Sequence, residues 1–447
     1  MRNFLLLLLV LLASTISSCN DDGSFTTDQS AALHFSCDTV KFDTLFCGVA
    51  SSTYTFWVHN PAADGVRIAS VRLESGNQSG FRVNVDGTYL DNDLGAVASN
   101  LELRKGDSLR VFVELTAPKM ESAPVRQVTD NLIFRLESGR EQRMLLTAVA
   151  VDADVWQSPH FSGQTVIEQS KPIIVYGTVT VDSAAQLTIR RTTLYFHDKS
   201  GIDVYGTLTT DSVVMRGDRL DHMFDYLPYD RVSGQWRGLH FHASSTGNTL
   251  TATTLRNAED AIVVDSAAIK EGINRLTMNR CVVHNCKGVG VRLLSANALI
   301  SESQISNTLG DCVEVHGGAV ELNRCTLAQF YPFTADRGAG LRFSNAYDGC
   351  PYPLTAFTCT GTIVTGYADD VVMGELSDTT ALFDYRFAEC LLRTPVVEDS
   401  VRFVRVRWES PKDSIQGKQH FVRVDEKNLD YDFHLDSISP AQGLGAY

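Results

Sequence analysis

The sequence is poor in basic residues for its length. Its 447 residues include 39 Lys and Arg against 53 Asp and Glu, which gives a formal net charge of −14 at pH 7. Proteins that bind nucleic acid or anionic membrane surfaces do so with clustered Lys and Arg, so neither is expected as a partner. No phosphate-binding loop is present either, because G-V-G at 288–290 and G-A-G at 338–340 are predicted as turns.

Paired cysteines of the kind that bind zinc are also missing. The chain has ten cysteines but no C-x-x-C motif and no histidine pair at the accompanying spacing. Nine cysteines follow Cys19, and this odd number does not form a complete disulfide framework. Most are expected to be small core residues. Cys37 and Cys47 flank a predicted hairpin, and the sequence leaves open whether they form a disulfide.

Apolar residues are concentrated at the N-terminus, in the run Leu5–Leu12 after the basic start M-R-N-F. The run is too short to span a bilayer and is typical of a secretory signal. It leads into I-S-S-C, which resembles the lipobox of bacterial lipoproteins, so residues 1–18 are predicted as a signal peptide and Cys19 as the lipidated residue. Residues 19–32 would form a tether, whose start N-D-D-G resembles the surface-export signal of Bacteroidota lipoproteins. We expect a lipid-anchored outer-membrane protein at the cell surface, with the periplasmic face as the alternative.

Residues 33–152 have the pattern of an antiparallel β-sandwich. Short segments such as T-Y-T-F-W-V and L-R-V-F-V-E-L alternate apolar with polar residues and are separated by Gly, Asn, Asp or Pro. The succession F-D-T at 42–44, V-H-N-P at 58–61, K-G-D-S at 105–108 and T-A-P at 116–118 resembles Hydin-type or major-sperm-protein-like immunoglobulin modules. Such modules are mostly spacers and interaction units, and the resemblance implies no catalytic residues.

Residues 153–447 repeat at the interval of a parallel β-helix. Val283, Ile305 and Leu327 follow one another every 22 residues, and V-Y-G-T at 175 recurs 29 residues later. A coil of this length cannot bury its apolar face alone and must stack on the next coil. The repetition therefore predicts a shape, with two or three short strands in each period.

Two sets of residues recur at the same place in successive coils. Asn257, Asn285 and Asn307 are predicted to stack at one turn, with each amide bonding to those of the coils above and below. Cys281 and Cys325 would lie two coils apart, about 9.6 Å at the spacing of stacked strands, which is too far for a disulfide. We therefore expect both thiols to be reduced.

Two motifs carry a family resemblance. G-Q-W-R-G-L-H-F at 234–241 is similar to the G-x-W-x-G-I-x-F coil entry of right-handed β-helix lipoproteins of Bacteroidota, and Y-D-F-H-L at 431–435 with S-P-A at 439–441 resembles their closing coil. The family's I-D-A-G after S-P-A is Q-G-L-G here. With the N-terminal module, the resemblance implies an all-β protein, an immunoglobulin-like sandwich followed by a right-handed parallel β-helix. It leaves activity open, since related β-helices include pectate and alginate lyases and glycoside hydrolases.

Two insertions interrupt the coil rhythm, at 217–234 and 330–353. Both mix acidic residues with aromatic rings, which suits sugar binding because rings pack on pyranose faces while carboxylates accept hydrogen bonds from hydroxyls. Loops that protrude from a solenoid often form its binding face. The alternative is that both are solvated loops whose rings cover the coil edge. The predicted ligand-binding residues are Asp221, Tyr226, Tyr229, Trp236, Tyr331, Asp336, Arg337 and Tyr347.

Histidines give only a weak metal signal. His240 and His242 lie two apart on one predicted strand and so point to the same face. Asp221 or His222 could supply a further ligand, but two histidines without a fixed third ligand do not define a site, so no metal is predicted.

No complete catalytic set is written in the sequence. A lyase needs a base that faces a carboxylate-neutralising cation, and a glycosidase needs paired carboxylates. Arg237 and Arg292 are the basic candidates for a lyase. No cofactor is predicted, and Ca²⁺ is kept open for a lyase although repeated D-x-D clusters are missing. If the protein is an enzyme, the predicted catalytic residues are Asp221, Asp225, Arg237 and His240.

A short motif of Asp followed by Ser or Thr occurs ten times before an apolar residue or Thr. It resembles the general O-glycosylation site of Bacteroidota, while Asp-Ser and Asp-Thr are also favourable turn residues before strands. Both explanations can hold together, because turns expose an attached glycan. The predicted modified residues are Thr39, Thr44, Ser108, Ser183, Ser212, Ser266, Thr379, Ser400, Ser414 and Ser437.

The sequence as a whole predicts a lipid-anchored protein of the cell envelope. We expect a non-catalytic module for adhesion, glycan binding or structure, because a tether and acidic aromatic insertions are present without an assembled catalytic set. Polysaccharides or surface proteins are the expected partners besides the membrane. The alternative is a polysaccharide lyase or glycoside hydrolase that acts on a face of the β-helix.

Overall fold

The computed structural model describes residues 24–90, 97–119, 125–224, 226–268 and 272–447. Over these ranges the protein is all-β, with two short 3-10 turns as its helical segments. It divides into two compact units, Met1–Asp152 and Ala153–Tyr447. The predicted signal peptide, Cys19 and Asp225 lie outside the described residues. Within those residues, no helix has the length and apolar character needed to cross a membrane.

The first unit is built from short strands in two sheets. Its described residues form β1 (Phe25–Thr26), β2 (His34–Phe35), β3 (Thr39–Phe46), β4 (Tyr54–His59), β5 (Gly65–Leu73), β6 (Phe81–Val85), β7 (Thr88–Tyr89), β8 (Val97–Leu103), β9 (Ser108–Leu115), β10 (Val125–Leu136) and β11 (Glu141–Val151). One sheet has the order β1-β5-β10-β11-β3, with β8 also on β5, and the other has the order β2-β4-β9-β6-β7. Most neighbours are antiparallel, whereas β1 and β3 join their sheet in parallel.

The two sheets of the first unit enclose one hydrophobic core. Alternate residues of the strands point inward, as Leu109 and Val111 do in β9, and residues of both sheets belong to the same buried cluster. The period-2 alternation of the sequence therefore produces a two-sheet sandwich. Cys37 and Cys47 are both part-buried, and the disulfide left open by the sequence is not formed between them.

The second unit is a succession of short strands. Its described residues form β12 (Asp154–Gln157), β13 (His160–Phe161), β14 (Gln164–Glu168), β15 (Ile173–Tyr176), β16 (Thr178–Val181), β17 (Gln186–Arg190), β18 (Thr193–Phe196), β19 (Gly201–Val204), β20 (Thr207–Asp211), β21 (Val214–Gly217), β22 (His222–Phe224), β23 (Leu227–Pro228), β24 (Gly238–Phe241), β25 (Asn248–Thr251), β26 (Thr254–Arg256), β27 (Ile262–Val264), β28 (Leu276–Asn279), β29 (Val282–Cys286), β30 (Val291–Ser301), β31 (Gln304–Thr308), β32 (Val313–Asn323), β33 (Thr326–Gln329), β34 (Leu341–Ser344), β35 (Ala346–Tyr347), β36 (Cys350–Pro351), β37 (Leu354–Thr360), β38 (Ile363–Gly366), β39 (Val372–Glu375), β40 (Phe383–Ala388), β41 (Leu391–Leu392), β42 (Phe403–Val404), β43 (Arg407–Trp408), β44 (Phe421–Asp425) and β45 (Asp430–Leu435). Two 3-10 turns cover Tyr229–Arg231 and Gly417–His420.

Most of these strands form three parallel stacks. Stack A is β12-β15-β18-β21-β26-β29-β31-β33-β38-β41-β43. Stack B is β13-β16-β19-β24-β27-β30-β32-β34-β39, and stack C is β14-β17-β20-β25-β28-β30-β32-β37-β40-β42. The long strands β30 and β32 run through both B and C, which joins these two stacks into one bent sheet. The unit is therefore β-helix-like, with the chain winding repeatedly through A, B and C.

The predicted 22-residue period is the register of stack A. Val283 pairs with Ile305, and Ile305 pairs with Leu327. All three side chains are fully buried in one core that runs along the coils. The coils contribute inward apolar side chains, mostly Val, Ile, Leu or Phe, from all three stacks. The apolar column is therefore continuous, and each coil depends on its neighbours.

The two V-Y-G-T stretches, in contrast, do not occupy equivalent places. Val175 pairs with Phe196 in stack A, whereas Val204 pairs with Val181 in stack B. The interpretation of their spacing as a coil period was therefore wrong. Both stretches form a corner between two strands. At the second corner glycine is needed, because a Cβ on Gly206 would collide with the backbone oxygens of the preceding coil.

From β18 to β43, a residue with positive φ lies two positions before each strand of stack A. The residue after it is often Ser, Thr or Cys, and it is buried in every case except Val406, which is part-exposed. Cys281 donates its backbone N–H to Ser303 Oγ at 3.0 Å, and Cys325 donates to Thr362 Oγ1 at 3.1 Å. Cys281 and Cys325 are both free. The positive-φ residues are Arg191, Ser212, Ala252, Arg280, Glu302, Arg324, Gly361, Glu389 and Arg405.

Three asparagines were predicted to form a ladder. They occupy stacked positions, as expected, but their side-chain amides do not hydrogen-bond to one another. Asn257, Asn285 and Asn307 all have positive φ and follow paired positions of β26, β29 and β31. Asn257 Nδ2 instead donates to two backbone oxygens of the first insertion, at 2.9 and 3.0 Å. The amide of Asn307 makes no hydrogen bond of ordinary geometry among the described residues. The ladder prediction was wrong because the left-handed turn, and not the amide, fixes asparagine here.

The hairpin β44–β45 covers the outer face of stack A. Phe421 and Phe433 pack with Phe330, and their ring centroids lie 6.1 and 6.2 Å from it. Strands β31, β33 and β38 are consequently buried on both faces. The Y-D-F-H-L and S-P-A segments thus act as a cover, since Phe433 and Ala441 are buried in this cluster.

A buried ionic cluster fixes the start of this hairpin. Glu409 is 3% exposed and contacts Arg393 Nη1 at 2.6 Å, His420 Nε2 at 3.3 Å and the Gly417 N–H at 2.6 Å. Burial alone would raise the pKa of Glu409, but hydrogen bonds from His420, Gly417 and Arg393 bring it below its ordinary value. The carboxylate is therefore ionised and paired, as a buried charge must be.

Candidate functional site

A cavity of about 400 Å³ lies on the outer face of stack A. Outward residues of β26, β29 and β31 form its floor, and β45 of the C-terminal hairpin forms one wall. Both insertions contribute further walls, with Asp230 and Arg231 from the first and Pro332 and Phe333 from the second. The structure therefore brings together the two segments that the sequence singled out.

The two insertions also contact each other directly. Ser233 Oγ and the Tyr331 hydroxyl are hydrogen-bonded at 2.9 Å. Tyr331 is 5% exposed and packs edge-on against Phe333. Its role is therefore to join the insertions, and Phe333, which the sequence reasoning did not select, presents a ring to the cavity.

The floor of the cavity carries polar groups that are buried but electrically neutral. Asn307 is 1% exposed, and its amide nitrogen and oxygen make no hydrogen bond of ordinary geometry among the described residues. Tyr431 also lines the cavity, and its hydroxyl faces the Asn307 amide without a hydrogen bond of ordinary geometry over the same ranges. Gln304 Oε1 accepts a hydrogen bond from the Tyr447 hydroxyl at 2.8 Å. Groups that can donate and groups that can accept hydrogen bonds therefore lie around the cavity.

His284 lies on the floor between Arg256 and the aromatic hairpin. Its Nδ1 is 2.9 Å from Ser306 Oγ, and its ring is 5.5 Å from that of Tyr431. Burial, assisted by the nearby Arg256 charge, lowers the pKa of His284 to about 4. The imidazole is therefore neutral at pH 7 and can donate from one nitrogen and accept at the other.

Charges at the rim of the cavity are mostly paired. Asp230 contacts Arg216 Nη1 at 2.8 Å and Arg256 Nη2 at 3.3 Å. Asp432 Oδ1 is 2.6 Å from His434 Nδ1, and these contacts lower the pKa of Asp432, chiefly through the backbone N–H of His434. The rim is therefore suited to a polar, uncharged ligand more than to a strongly ionic one.

Several predicted ligand residues in the first insertion or next to it make contacts within the protein instead. Trp236 is buried, stacks on Phe196 at 4.2 Å and donates its Nε1–H to the Arg256 carbonyl. Its prediction as a ligand residue is therefore corrected to a core residue. Asp221 accepts from Arg219 Nε at 2.8 Å, and the Arg219 guanidinium lies 4.0 Å from the Tyr229 ring centroid.

The remaining predicted ligand residues lie outside the cavity lining. Tyr226 is 81% exposed and stacks on Phe224. Arg337 lies over the Tyr367 ring at 4.4 Å, and Asp336 is exposed. Tyr347 lies on another face of the unit, 4.6 Å from the His316 ring.

Around Tyr347, stack B carries an ionic network. Arg292 Nε donates to Glu314 Oε2 at 2.6 Å, and His316 Nε2 lies 3.6 Å from the same oxygen. Burial would raise the pKa of Glu314, but the contacts from His316 and Arg292 bring it below its usual value. Arg292, the second basic candidate for a lyase, is thus paired with an ionised carboxylate.

A second cluster lies on stack B at paired positions of β19 and β24. Asp203 pairs with His240, whose ring lies beside that of His242. Asp265, the residue after β27, contacts His240. His242 Nε2 is 3.7 Å from Asp203 Oδ1, and His240 Nε2 is 2.8 Å from Asp265 Oδ1. Burial and the neighbouring His240 lower the pKa of His242.

The predicted catalytic residues are not assembled in the way the sequence suggested. Arg237 and His240 belong to the cluster on stack B, where Arg237 Nη2 lies 3.2 Å from Asp203 Oδ2. Asp221 is held by Arg219 in the first insertion, and Asp225 lies outside the described residues. The partners of the two histidines are Asp203 and Asp265, instead of Asp221 or His222, because stacking places residues of successive coils side by side.

The comparisons with known proteins show only distant likenesses. No family model matches the sequence, and no curated protein matches it significantly. The catalytic unit of a GH87 α-1,3-glucanase from Streptomyces thermodiastaticus is similar over 80% of this chain and 74% of its own, at 11% identity and a TM-score of 0.26. The ASH/PapD-like domain of human CEP192 is similar over 31% of this chain and 98% of its own, at 14% identity and a TM-score of 0.19. The E. coli chaperone DraB is similar over 27% of this chain and 56% of its own, at 14% identity and a TM-score of 0.18.

Proposed function

We propose that this protein is a lipid-anchored protein of the cell envelope that binds a glycan in the cavity on stack A. The observation that carries the proposal is Asn307, a buried amide in the cavity lining that faces the Tyr431 hydroxyl and makes no hydrogen bond of ordinary geometry in the described residues. An unsatisfied buried polar group costs about 1–3 kcal/mol. Sugar hydroxyls both donate and accept, so one sugar unit can satisfy both atoms of the amide.

The size and chemistry of the cavity support a sugar unit as its occupant. A volume of about 400 Å³ falls within the range of small-molecule sites, roughly 300–1,000 Å³. Phe333, Phe433 and Tyr431 supply ring surface, while Asn307 and the neutral His284 supply hydrogen-bonding groups. This mixture suits a ligand that has apolar faces and a polar edge.

The envelope location and the finer fold are part of the same proposal. The lipobox-like I-S-S-C supports lipidation at Cys19, and the two-sheet core of the first unit supports an immunoglobulin-type spacer before a right-handed β-helix. The hydroxyl residues of the ten Asp-Ser and Asp-Thr motifs are all exposed or part-exposed, which supports O-glycosylation. A tethered protein with a glycan site would act in adhesion at the surface where it is anchored.

Binding of the purified protein to a glycan array of host, bacterial and plant polysaccharides tests the proposal. We expect at least one ligand, and we expect the Asn307→Gly variant to bind it roughly tenfold more weakly or worse, because lost hydrogen bonds cost about 1–3 kcal/mol. Glycine accepts the positive φ of residue 307, so the turn is kept. Tyr431→Phe, which removes only a hydroxyl, should weaken binding in the same direction.

The matched control is Tyr226→Ala, since Tyr226 is an exposed aromatic of the first insertion that does not line the cavity. Retained binding in this variant with loss in Asn307→Gly would support the cavity. Loss in Tyr226→Ala alone, or no ligand on the array, would contradict it. Unsaturated or reducing-end products from a captured polysaccharide would make the protein an enzyme, the alternative function predicted from the sequence.

A further inference from the structure

We propose that Asp203, His240 and His242 form a binding site for a divalent transition-metal ion on stack B. Each residue offers one ligand atom, and the three atoms lie within 4.8 Å of one another. Two ligand atoms at about 2.0–2.1 Å from zinc are about 3.4 Å apart in a tetrahedron. Small side-chain rotations therefore bring the three atoms to coordination distance. The site is independent of the proposed glycan cavity, whose lining does not include these residues.

The clearest sign of a missing partner is the pair Asp203 and His242. Asp203 Oδ1 and His242 Nε2 face each other at 3.7 Å, and both atoms are shielded from solvent without a hydrogen-bond partner among the described residues. A direct hydrogen bond would bring them to about 2.7–3.2 Å. A cation bound between the two atoms satisfies both, whereas their present separation satisfies neither.

Neighbouring groups already hold the three ligands in place. Arg237 contacts Asp203 Oδ2 at 3.2 Å, which leaves Oδ1 directed at His242. Tyr205 stacks on the His242 ring at 4.0 Å and 3°. Asp265 Oδ1 lies 2.8 Å from His240 Nε2. Metal-binding histidines and carboxylates characteristically have such outer partners, which fix the tautomer and the orientation of the ligand.

The donor set indicates the class of ion. Two imidazoles and one carboxylate favour Zn²⁺ and its first-row neighbours, because Ca²⁺ and Mg²⁺ select oxygen ligands. The three residues are all part-exposed, and they supply three protein ligands, so a fourth coordination position is left for a non-protein ligand. The ion would therefore be able to hold a water molecule or a ligand group, as in zinc sites that are not purely structural.

Titration of the metal-stripped protein with Zn²⁺ alone, by calorimetry, tests this site. We expect one Zn²⁺ per chain, and we expect Co²⁺ to give the visible absorption of a four-coordinate ion at the same stoichiometry. Asp203→Asn and His242→Ala should each weaken binding by more than about tenfold, and Asp265→Asn by about 10- to 100-fold, the usual cost of losing an outer partner. Circular dichroism of each variant checks that it is folded.

His197→Ala is the matched control, because His197 pairs with Asp218 at 2.8 Å on the same unit without belonging to the cluster. This variant should bind Zn²⁺ as the unmodified protein does. The proposal would be overturned if the unmodified protein does not bind Zn²⁺, if Asp203→Asn binds it equally well, or if His197→Ala weakens binding as much as His242→Ala. The Co²⁺ spectrum of the unmodified protein decides the matter even if a histidine variant does not fold.

Discussion

At the scale of single residues, His284 couples the cavity to pH. Its pKa lies at about 4 in the folded protein against 6.5 for an ordinary histidine. The unfolded chain therefore binds more protons between these two values, and stability falls as the pH drops from 6.5 towards 4. Because the ring is only half-buried against the cavity, we expect this histidine to contribute about 2 kcal/mol, less than the full shift would imply.

Denaturant unfolding at several pH values measures this contribution. We expect the free energy of unfolding of His284→Gln to depend less steeply on pH between 6.5 and 4 than that of the unmodified protein, by up to about 1.4 kcal/mol per pH unit. His160→Gln, at an exposed histidine of the same unit, is the control for the effect of removing an imidazole elsewhere. Equal slopes in the His284 variant and the unmodified protein would show that this imidazole is not held neutral by burial.

The sequence predicted the segments that form the site better than the individual residues that line it. The sequence pointed to both insertions, and the structure places both at the cavity. Trp236 was misassigned, because an aromatic residue in a motif can fill a core as easily as it can face a ligand. Asn307 was noticed for its spacing, but its burial beside Tyr431 depends on the hairpin that covers it. The sequence did not indicate that His284 and Tyr431 line a cavity, because their neighbours come from distant parts of the chain.

At the scale of elements, the hairpin β44–β45 both closes the core and forms a wall of the cavity. Phe433 is 3% exposed and packs against Phe421 at 5.1 Å. Truncating a buried phenylalanine to alanine costs about 3–5 kcal/mol. We therefore expect Phe433→Ala to lower the free energy of opening this hairpin by that amount, measured as faster amide hydrogen exchange across Phe421–Leu435.

Val422→Ala is the control for this prediction, since Val422 lies in the same hairpin but is 53% exposed. An exposed substitution of this kind changes stability by less than about 0.5 kcal/mol. If Phe433→Ala and Val422→Ala exchange at the same rate, the aromatic cluster does not hold the hairpin in place.

The 22-residue period correctly predicted which strands pair, whereas the 29-residue spacing of the two V-Y-G-T corners did not. The 22-residue interval of Val283, Ile305 and Leu327 is the true register, because these side chains fill equivalent places in the core. The two V-Y-G-T stretches share a local corner shape, and the sequence does not state which corner of the coil each one forms. A similar strand-turn-strand sequence can serve at either corner, so spacing alone misled.

At the scale of the whole molecule, both units are held without disulfides in the described residues. None of the nine cysteines there is in a disulfide; six of them are buried, and Cys350 is the exposed one. Burial raises the pKa of Cys281 to about 11 and that of Cys325 to about 12. Since the thiolate is the reactive form, these core thiols should be inert while the coils remain stacked.

Thiol labelling followed by mass spectrometry checks this expectation. In the native protein we expect rapid labelling at Cys350, slower labelling at the part-buried Cys37 and Cys47, and labelling of Cys281 and Cys325 only after denaturation. A reducing agent should leave the melting temperature unchanged. Native labelling of Cys281 at the rate of Cys350 would contradict a sealed, continuously stacked core.

In the proposed function, a glycan occupies the cavity between the hairpin and the two insertions. The most direct test of this claim is a crystal structure of the protein with the best ligand from the array. We predict density for one sugar unit on stack A, hydrogen-bonded to Asn307 and packed against the rings of Tyr431 or Phe433. A ligand bound instead at the exposed Tyr226, at Tyr347 or at the first unit, with the cavity free of sugar, would contradict the claim.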